Sequence, residues 1–226
     1  MLGIDIDTVQ HCIPTDPIVK LIKQKLRTMK PKWTFKIKEE VEKQYNVGFL
    51  KVVNYPECLA NGVPVPKKDW KVRMCLDFRD FNKASPKDDF PLPHIDILFD
   101  NTAGHALLPF MEGFLGYNQI KIALEDMEKT SFIIPWVTYC YKVMPFGLKN
   151  AGATYQWVAI TLLHDLIHKE VQVYVDDMIV KSKDHEGHIP ALQKFFERVR
   201  FYKLRLNSKK CTFGVTSRKL LGFIVS

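Results

Sequence analysis

The chain has 226 residues, 46% of them hydrophobic, and 33 Lys and Arg against 25 Asp and Glu leave a net charge of +8. It is too apolar for a disordered chain and long enough for one domain or a pair of subdomains with a buried core. No apolar run approaches the roughly 18 to 20 residues of a membrane helix, and no basic N-terminal region leads into an apolar stretch, so neither a membrane span nor secretion is expected.

Residues 1–31 are expected to be irregular, because Pro14, Pro17 and Pro31 interrupt any long helix. Lys32 to Asn46 reads as a helix in which Trp33, Ile37, Val41 and Tyr45 recur every four residues, with Gly48 suited to its end. Phe49–Val53, Asn61–Val65 and the alternating Val72–Phe78 are strand candidates, and residues 84–93, with Pro86, Pro91 and Pro93, form a turn-rich connection. Further on, His105–Met111 is apolar and Tyr139–Met144 has strand composition. Ala153–His168 carries a helical stripe of Tyr155, Val158, Leu162 and Leu166. Glu170–Lys181 contains two strand-like runs meeting at Asp176-Asp177, a hairpin. Pro190 suits the first turn of a basic amphipathic helix through Phe195, Val199 and Tyr202. The sequence closes with a second expected hairpin, CTFGV against LLGFIV around Thr216–Lys219. Two hairpins and an irregular order of elements favour α+β over a doubly wound parallel sheet.

Charge is unevenly spread: −2 over residues 1–15, +7 over 16–90, −5 over 91–180 and +8 over 181–226. Basic flanks around an acidic middle suit a protein that grips a polyanion and holds cations at its centre, although lysine-rich helices are equally compatible with plain solvated surface. Five widely spaced cysteines without a CxxC pair argue for reduced thiols in an intracellular protein, against both a disulfide framework and a zinc ribbon.

The sharpest chemical signal is YVDD, Tyr174 to Asp177. Paired carboxylates between apolar strands need a cation or a solvated turn to account for them, and a bare Asp-Asp reads more simply as a turn. Glu112, after ALLPFM, supplies a candidate third acid, and Mg²⁺ favours such hard oxygen ligands. His164 and His168 share a helix face but lack a third ligand, so they read as surface residues. His185 and His188 read as loop residues, Cys75 and Cys140 as inert core thiols, and the aromatic residues between 195 and 202 as core.

The blocks CLDFRDFN, DDFPLPHID, GYNQIKI, YCYKVMPFGLKNAGATYQ, YVDD and KKCTFG…LLGFIV, in this order, resemble those of reverse transcriptases of gypsy-class LTR retrotransposons, especially plant copies. The resemblance covers nearly the whole chain. It implies a right-hand polymerase fold of fingers and palm with an antiparallel palm sheet. The implied layout is an irregular 1–31, fingers mainly over 32–93, and palm mainly over 94–226 with a fingers insertion near 125–150. Leu220–Val225 would be a primer-grip-like closing hairpin. The thumb, connection and ribonuclease H regions are absent from the likeness, which implies a polyprotein fragment or a decayed copy.

Carried over by position, Asp176 and Asp177 match the paired palm aspartates and Glu112 sits where the family has its first metal-binding Asp. Tyr117 matches the aromatic under the sugar, which disfavours a viral-type RNA polymerase. Arg73 matches a contact to the incoming triphosphate, Lys67 more weakly, and Phe146 and Gly147 match the segment lining nucleotide and template. The implied activity is RNA-directed DNA polymerisation with two Mg²⁺ ions, Mn²⁺ substituting. The implied partners are an RNA or DNA template with primer, dNTPs and the rest of a polyprotein (ribonuclease H and integrase), and no membrane. The implied location is intracellular, in a cytoplasmic retroelement particle or the nucleus. The alternative is a catalytically impaired nucleic-acid-binding remnant. Glutamate at 112 is one methylene longer than aspartate, and a misplacement of about 1 Å can cost roughly 100-fold in rate. Pro109, Leu115, Trp136-Val137 and Trp70 also depart from the pattern, so weak or no polymerase activity is expected of this chain alone.

Overall fold

The computed structural model describes residues 3–66, 72–91, 93–102, 104–105, 107–182, 184, 186–215, 218–220 and 223–225. In chain order its strands and α-helices are β1 (Gln10–His11), α1 (Pro31–Asn46), β2 (Leu50–Val52), β3 (Ala60–Pro66), β4 (Val72–Leu76), α2 (Arg79–Ala84), α3 (Ile95–Asp100) and β5 (Phe110–Glu112). There follow β6 (Lys121–Ile122), β7 (Phe132–Ile134), β8 (Val137–Tyr141), α4 (Ala151–Leu162), β9 (Val171–Tyr174), β10 (Asp177–Val180), α5 (His188–Phe201), β11 (Arg218–Leu220) and β12 (Phe223–Val225). Among the described residues no helix is long and apolar enough to cross a membrane.

The chain forms two compact units. One comprises Ile6–Asp88 and Ile120–Ala151, the other residues 3–5, Asp89–Gln119 and Gly152–Ser226. In the first, a five-stranded sheet runs in the order β2-β8-β7-β3-β4, parallel only between β3 and β7. Helix α1 starts on Pro31, whose missing N–H costs nothing in a first turn. Of its four-residue stripe only Ile37 and Val41 are buried. A spacing of four overshoots the 3.6-residue turn, so Trp33 and Tyr45 at the ends rotate away from the core. Residues before α1 are mostly irregular, as expected. The exception is β1, which pairs in parallel with β6 and buries His11.

The first unit also contains a closed ionic network. Asp77 is buried, and its carboxylate accepts hydrogen bonds from Arg27 Nη2 at 2.6 Å and from Arg79 Nε at 2.7 Å and Nη2 at 2.8 Å. The Arg79 bond, with further help from the Arg79 amide and the Arg27 charge, holds this carboxyl well below the usual range despite its burial.

The second unit is built on an antiparallel sheet in the order β5-β10-β9. Alternation puts Phe110, Glu112, Asp177 and Ile179 on one face and Met111, Met178 and Val180 on the other. Leu108, Phe110 and Ile179 form a core cluster with Tyr174 and Val215 packed on it. Helix α5 buries His188, Ala191, Phe195 and Val199, one stripe at helical spacing.

Four sequence expectations need correction. The helix expected over Ala153–His168 ends at Leu162. Leu166 is buried from a turn in which His168 has φ +65°, so a buried residue in phase with a helix was not a helical one. His188 is the buried first residue of α5, its Nδ1 3.2 Å from Ser182 Oγ, and not a loop residue, while His185 lies outside the described residues. Phe201 at the end of α5 is 76% exposed and so is not core. The closing hairpin forms within RKLLGFIV, between β11 and β12. CTFGV pairs elsewhere: the Thr212 and Phe110 amides each donate to the other's carbonyl, at 2.8 and 2.9 Å, and the Leu108 amide donates to Val215. Local strand propensity could not identify that partner, which lies about a hundred residues away.

Candidate active site

The register of one hairpin assembles the acidic residues. Asp177 opposes Tyr174 across β9–β10 and Glu112 across β10–β5, so Glu112 and Asp177 are direct neighbours on one sheet face. Val175 and Asp176 form the connecting turn. Val175 adopts φ +51°, a region β-branched residues rarely enter and which costs on the order of 1–3 kcal/mol. Gln156 on α4 holds this strained turn: its Oε1 accepts from the Val175 amide at 2.6 Å and its Nε2 donates to Val173 O at 3.1 Å. The Asp176 carbonyl accepts from the Gly113 amide at 3.1 Å, tying the turn to the end of β5.

The Asp176 side chain sits against backbone. A Cβ at Gly116 would stand 2.0 Å from Asp176 Oδ1, so only glycine fits there. That oxygen is buried and has no hydrogen-bond partner among the described residues. Burial first, then the charges of Asp177 and Glu112, push the Asp176 carboxyl up to about 6, against the opposing pull of Lys210. Glu112 Oε1 accepts from Lys210 Nζ in an ion pair. Tyr117 meets the buried Tyr155 edge-on, ring centroids 5.5 Å apart, and burial together with the Asp176 charge pushes its hydroxyl up to about 12.

Carboxylate oxygens are the donors that a hard cation takes. Asp176 presents a buried oxygen with no partner among the described residues, and Asp177 and Glu112 lie close enough to raise its affinity for a positive charge. Among the described residues, however, no three His, Cys, Asp or Glu side chains close on a common point. Glu112 is turned onto Lys210.

Of the residues singled out in the sequence, the second unit thus brings together Asp176, Asp177, Glu112 and Tyr117 around one turn. The first unit brings together three others: the exposed Arg73 guanidinium lies 5.7 Å from the Phe146 ring centroid, and Gly147 follows with φ +99° and its carbonyl bonded to Asn82 Nδ2 at 2.8 Å. Lys67 and Trp70 lie outside the described residues. Gln156, Gly116, Tyr155 and Lys210 were not singled out as site residues, although all four stand inside motif blocks.

Residues 65–225 match the family model described as reverse transcriptase (RNA-dependent DNA polymerase). The chain belongs to the reverse transcriptase family. Among its relatives is the retrovirus-related Pol polyprotein from transposon 297 of Drosophila melanogaster, 30% identical over 195 residues, 84% of this chain and 18% of that polyprotein. The Pol polyprotein from transposon gypsy of the same organism is 32% identical over 154 residues, 68% of this chain and 15% of the polyprotein. The chain therefore spans less than a fifth of each of these relatives, and the gypsy-class resemblance holds. The fold is that of reverse transcriptases: a foamy viral protease-reverse transcriptase solved in complex with RNA/DNA hybrid aligns with TM-score 0.87 at 22% identity, covering 96% of this chain and 29% of that one.

Proposed function

We propose that the chain is the fingers and palm part of an RNA-directed DNA polymerase that adds dNTPs to a primer 3′-hydroxyl. The palm is assigned to the second unit and the fingers to the first. The single observation that carries this reading is that the register and turn of one hairpin bring Asp176 and Asp177 beside Glu112, in a chain of the reverse transcriptase family. Asp176 and Asp177 are the residues that would hold a divalent cation, Mg²⁺ by the preference of carboxylate oxygens. Such a cation, when bound, lowers the pKa of a hydroxyl nucleophile and offsets the charge of a triphosphate.

The remaining steps belong to side chains of this protein. Tyr117, packed against Tyr155, gives a rigid ring on which a nucleotide sugar can rest. Arg73 offers a guanidinium fork for phosphate oxygens. Gln156 fixes the turn so that the aspartates need not reorganise as charge develops, the positioning that phosphoryl transfer mainly requires. The basic segments 16–90 and 181–226 suit the phosphate backbone of a template and primer. The foamy viral neighbour carries an RNA/DNA hybrid, which supports assigning the same class of partner here.

The test is primer extension on an RNA template with Mg²⁺, comparing the chain with Asp177→Asn and Glu112→Asp. Extension by the unaltered chain, abolished by Asp177→Asn, supports the reading. A second reading, a template-binding palm with weakened chemistry, is favoured by the Glu112–Lys210 ion pair. It expects template–primer binding without extension, and extension gained only in Glu112→Asp.

A further inference from the structure

Lys210 reaches Glu112 through a built path, although 98 residues separate them. The main chain after α5 runs beside β5: the Phe114 amide donates to Arg205 O at 2.8 Å and the Asn207 amide to Glu112 O at 2.8 Å. Gln119 is buried and clamps this run at Arg205, accepting from its amide at 2.7 Å and donating to its carbonyl at 3.0 Å. The Lys210 and Cys211 amides both return to Asn207 O, at 2.9 and 3.0 Å, a tight turn that places the Lys210 ammonium at the Glu112 carboxylate. Two neighbouring acids are thus treated differently. Asp176 keeps a buried oxygen without a partner, while Glu112 already has a cation.

We propose that Lys210 acts as an internal counter-ion that competes with divalent metal for Glu112. The cation site then fills at the Asp176–Asp177 pair, and Glu112 joins only when Lys210 is displaced. This rests on reading those aspartates as a cation site. An ammonium is a compact point charge with three donors, so it can satisfy a carboxylate oxygen that a metal would otherwise take. The extra methylene of glutamate gives Glu112 the reach to meet it.

The experiment is titration of the full chain with Mn²⁺ in the absence of nucleic acid and nucleotide, read by isothermal calorimetry and by the Mn²⁺ electron paramagnetic resonance signal. Lys210 is half exposed, so its replacement leaves the core intact. Lys210→Met should tighten Mn²⁺ binding by roughly three- to tenfold, the span for losing one partly exposed ion pair and one like charge beside a divalent ion. Lys210→Arg, which keeps the charge, should bind like the unaltered chain. In a Glu112→Gln background the gain from Lys210→Met should shrink to less than about twofold, because the contested carboxylate is gone. Equal Mn²⁺ affinity in Lys210→Met and the unaltered chain would overturn the competition while leaving the cation site standing. A gain of the same size in the Glu112→Gln background would overturn it too, assigning the effect to general charge. No Mn²⁺ binding by any variant would remove the cation site and the competition together.

Discussion

Asp77 in the first unit and Asp176 in the second are carboxylates withdrawn from water by quite different surroundings. Asp77 is met by two arginines through three hydrogen bonds and is held well below its usual pKa. Asp176 has a buried oxygen with no partner among the described residues, two acidic neighbours and a pKa pushed up to about 6. Folding has satisfied the first charge and left the second with an oxygen that no described residue meets. A buried carboxylate that is fully paired holds structure together, whereas one left unpaired at a strained turn is kept for a ligand. The contrast supports the proposed site better than acidity alone, since both residues belong to motif blocks.

The contrast can be broken most directly by removing each charge. Asp176→Asn should lower primer extension by roughly a hundredfold or more, while leaving the thermal midpoint unchanged or raised, because it removes an unsatisfied charge. Asp77→Asn should do the opposite to stability, lowering it by about 2 kcal/mol as hydrogen bonds from both arginines are weakened. Denaturant unfolding of the two variants side by side checks the pair. If Asp176→Asn destabilises as much as Asp77→Asn, the distinction between them fails.

Gly116→Ala probes how closely backbone approaches the unpaired carboxylate. The new methyl would stand 2.0 Å from Asp176 Oδ1, so it should cost about 1–3 kcal/mol and displace the aspartate, seen as lost extension at the same folded fraction. Gln156→Leu tests the support of the turn. Both hydrogen bonds to β9 and its turn are lost, at a cost of about 1–2 kcal/mol, and amide hydrogen exchange should quicken at Val175 while Met178 in β10 stays protected.

A pH dependence sets the two units against each other. His11 is buried, and this outweighs the nearby Asp126 and Asp88 charges, lowering its pKa from 6.5 to about 4. Between those values the unfolded chain takes up a proton that the folded one refuses. The His11 contribution is therefore full above about pH 6.5 and falls as pH drops towards 4, by at most about 3 kcal/mol, while Asp176, its folded pKa raised to about 6, contributes in the opposite sense over the same range. Asp77, with its folded pKa depressed, adds a further loss only below the ordinary carboxylate range. Thermal unfolding from pH 7 to 4 should show the two largely offsetting, with His11→Gln gaining stability as pH drops and Asp176→Asn exposing the His11 loss.

Much of the fold was legible beforehand because its signals are local. The Ile37–Val41 stripe marks α1, and the two apolar runs around Asp176 mark a hairpin whose register then follows from a two-residue turn. The α+β class came from the order of elements and the candidates Asp176, Asp177, Glu112 and Tyr117 from the motif blocks, and all four stand around one turn. Less was legible wherever a segment's partner is distant. CTFGV has the composition of a hairpin strand but pairs with residues 108–110, and Leu166 is buried from a turn outside the helix that its spacing suggested.

By itself, then, the sequence determined the family, the class of fold and which acids belong to one motif set, since each is written in neighbouring residues and their order. Only the tertiary structure decided what each acid meets. Arg27 reaches Asp77 across 50 residues, Gln156 reaches Val175 across 19 and Lys210 reaches Glu112 across 98. Propensity acts over a few residues, whereas the partner of a charge is set by register and packing between segments that the chain brings together only on folding.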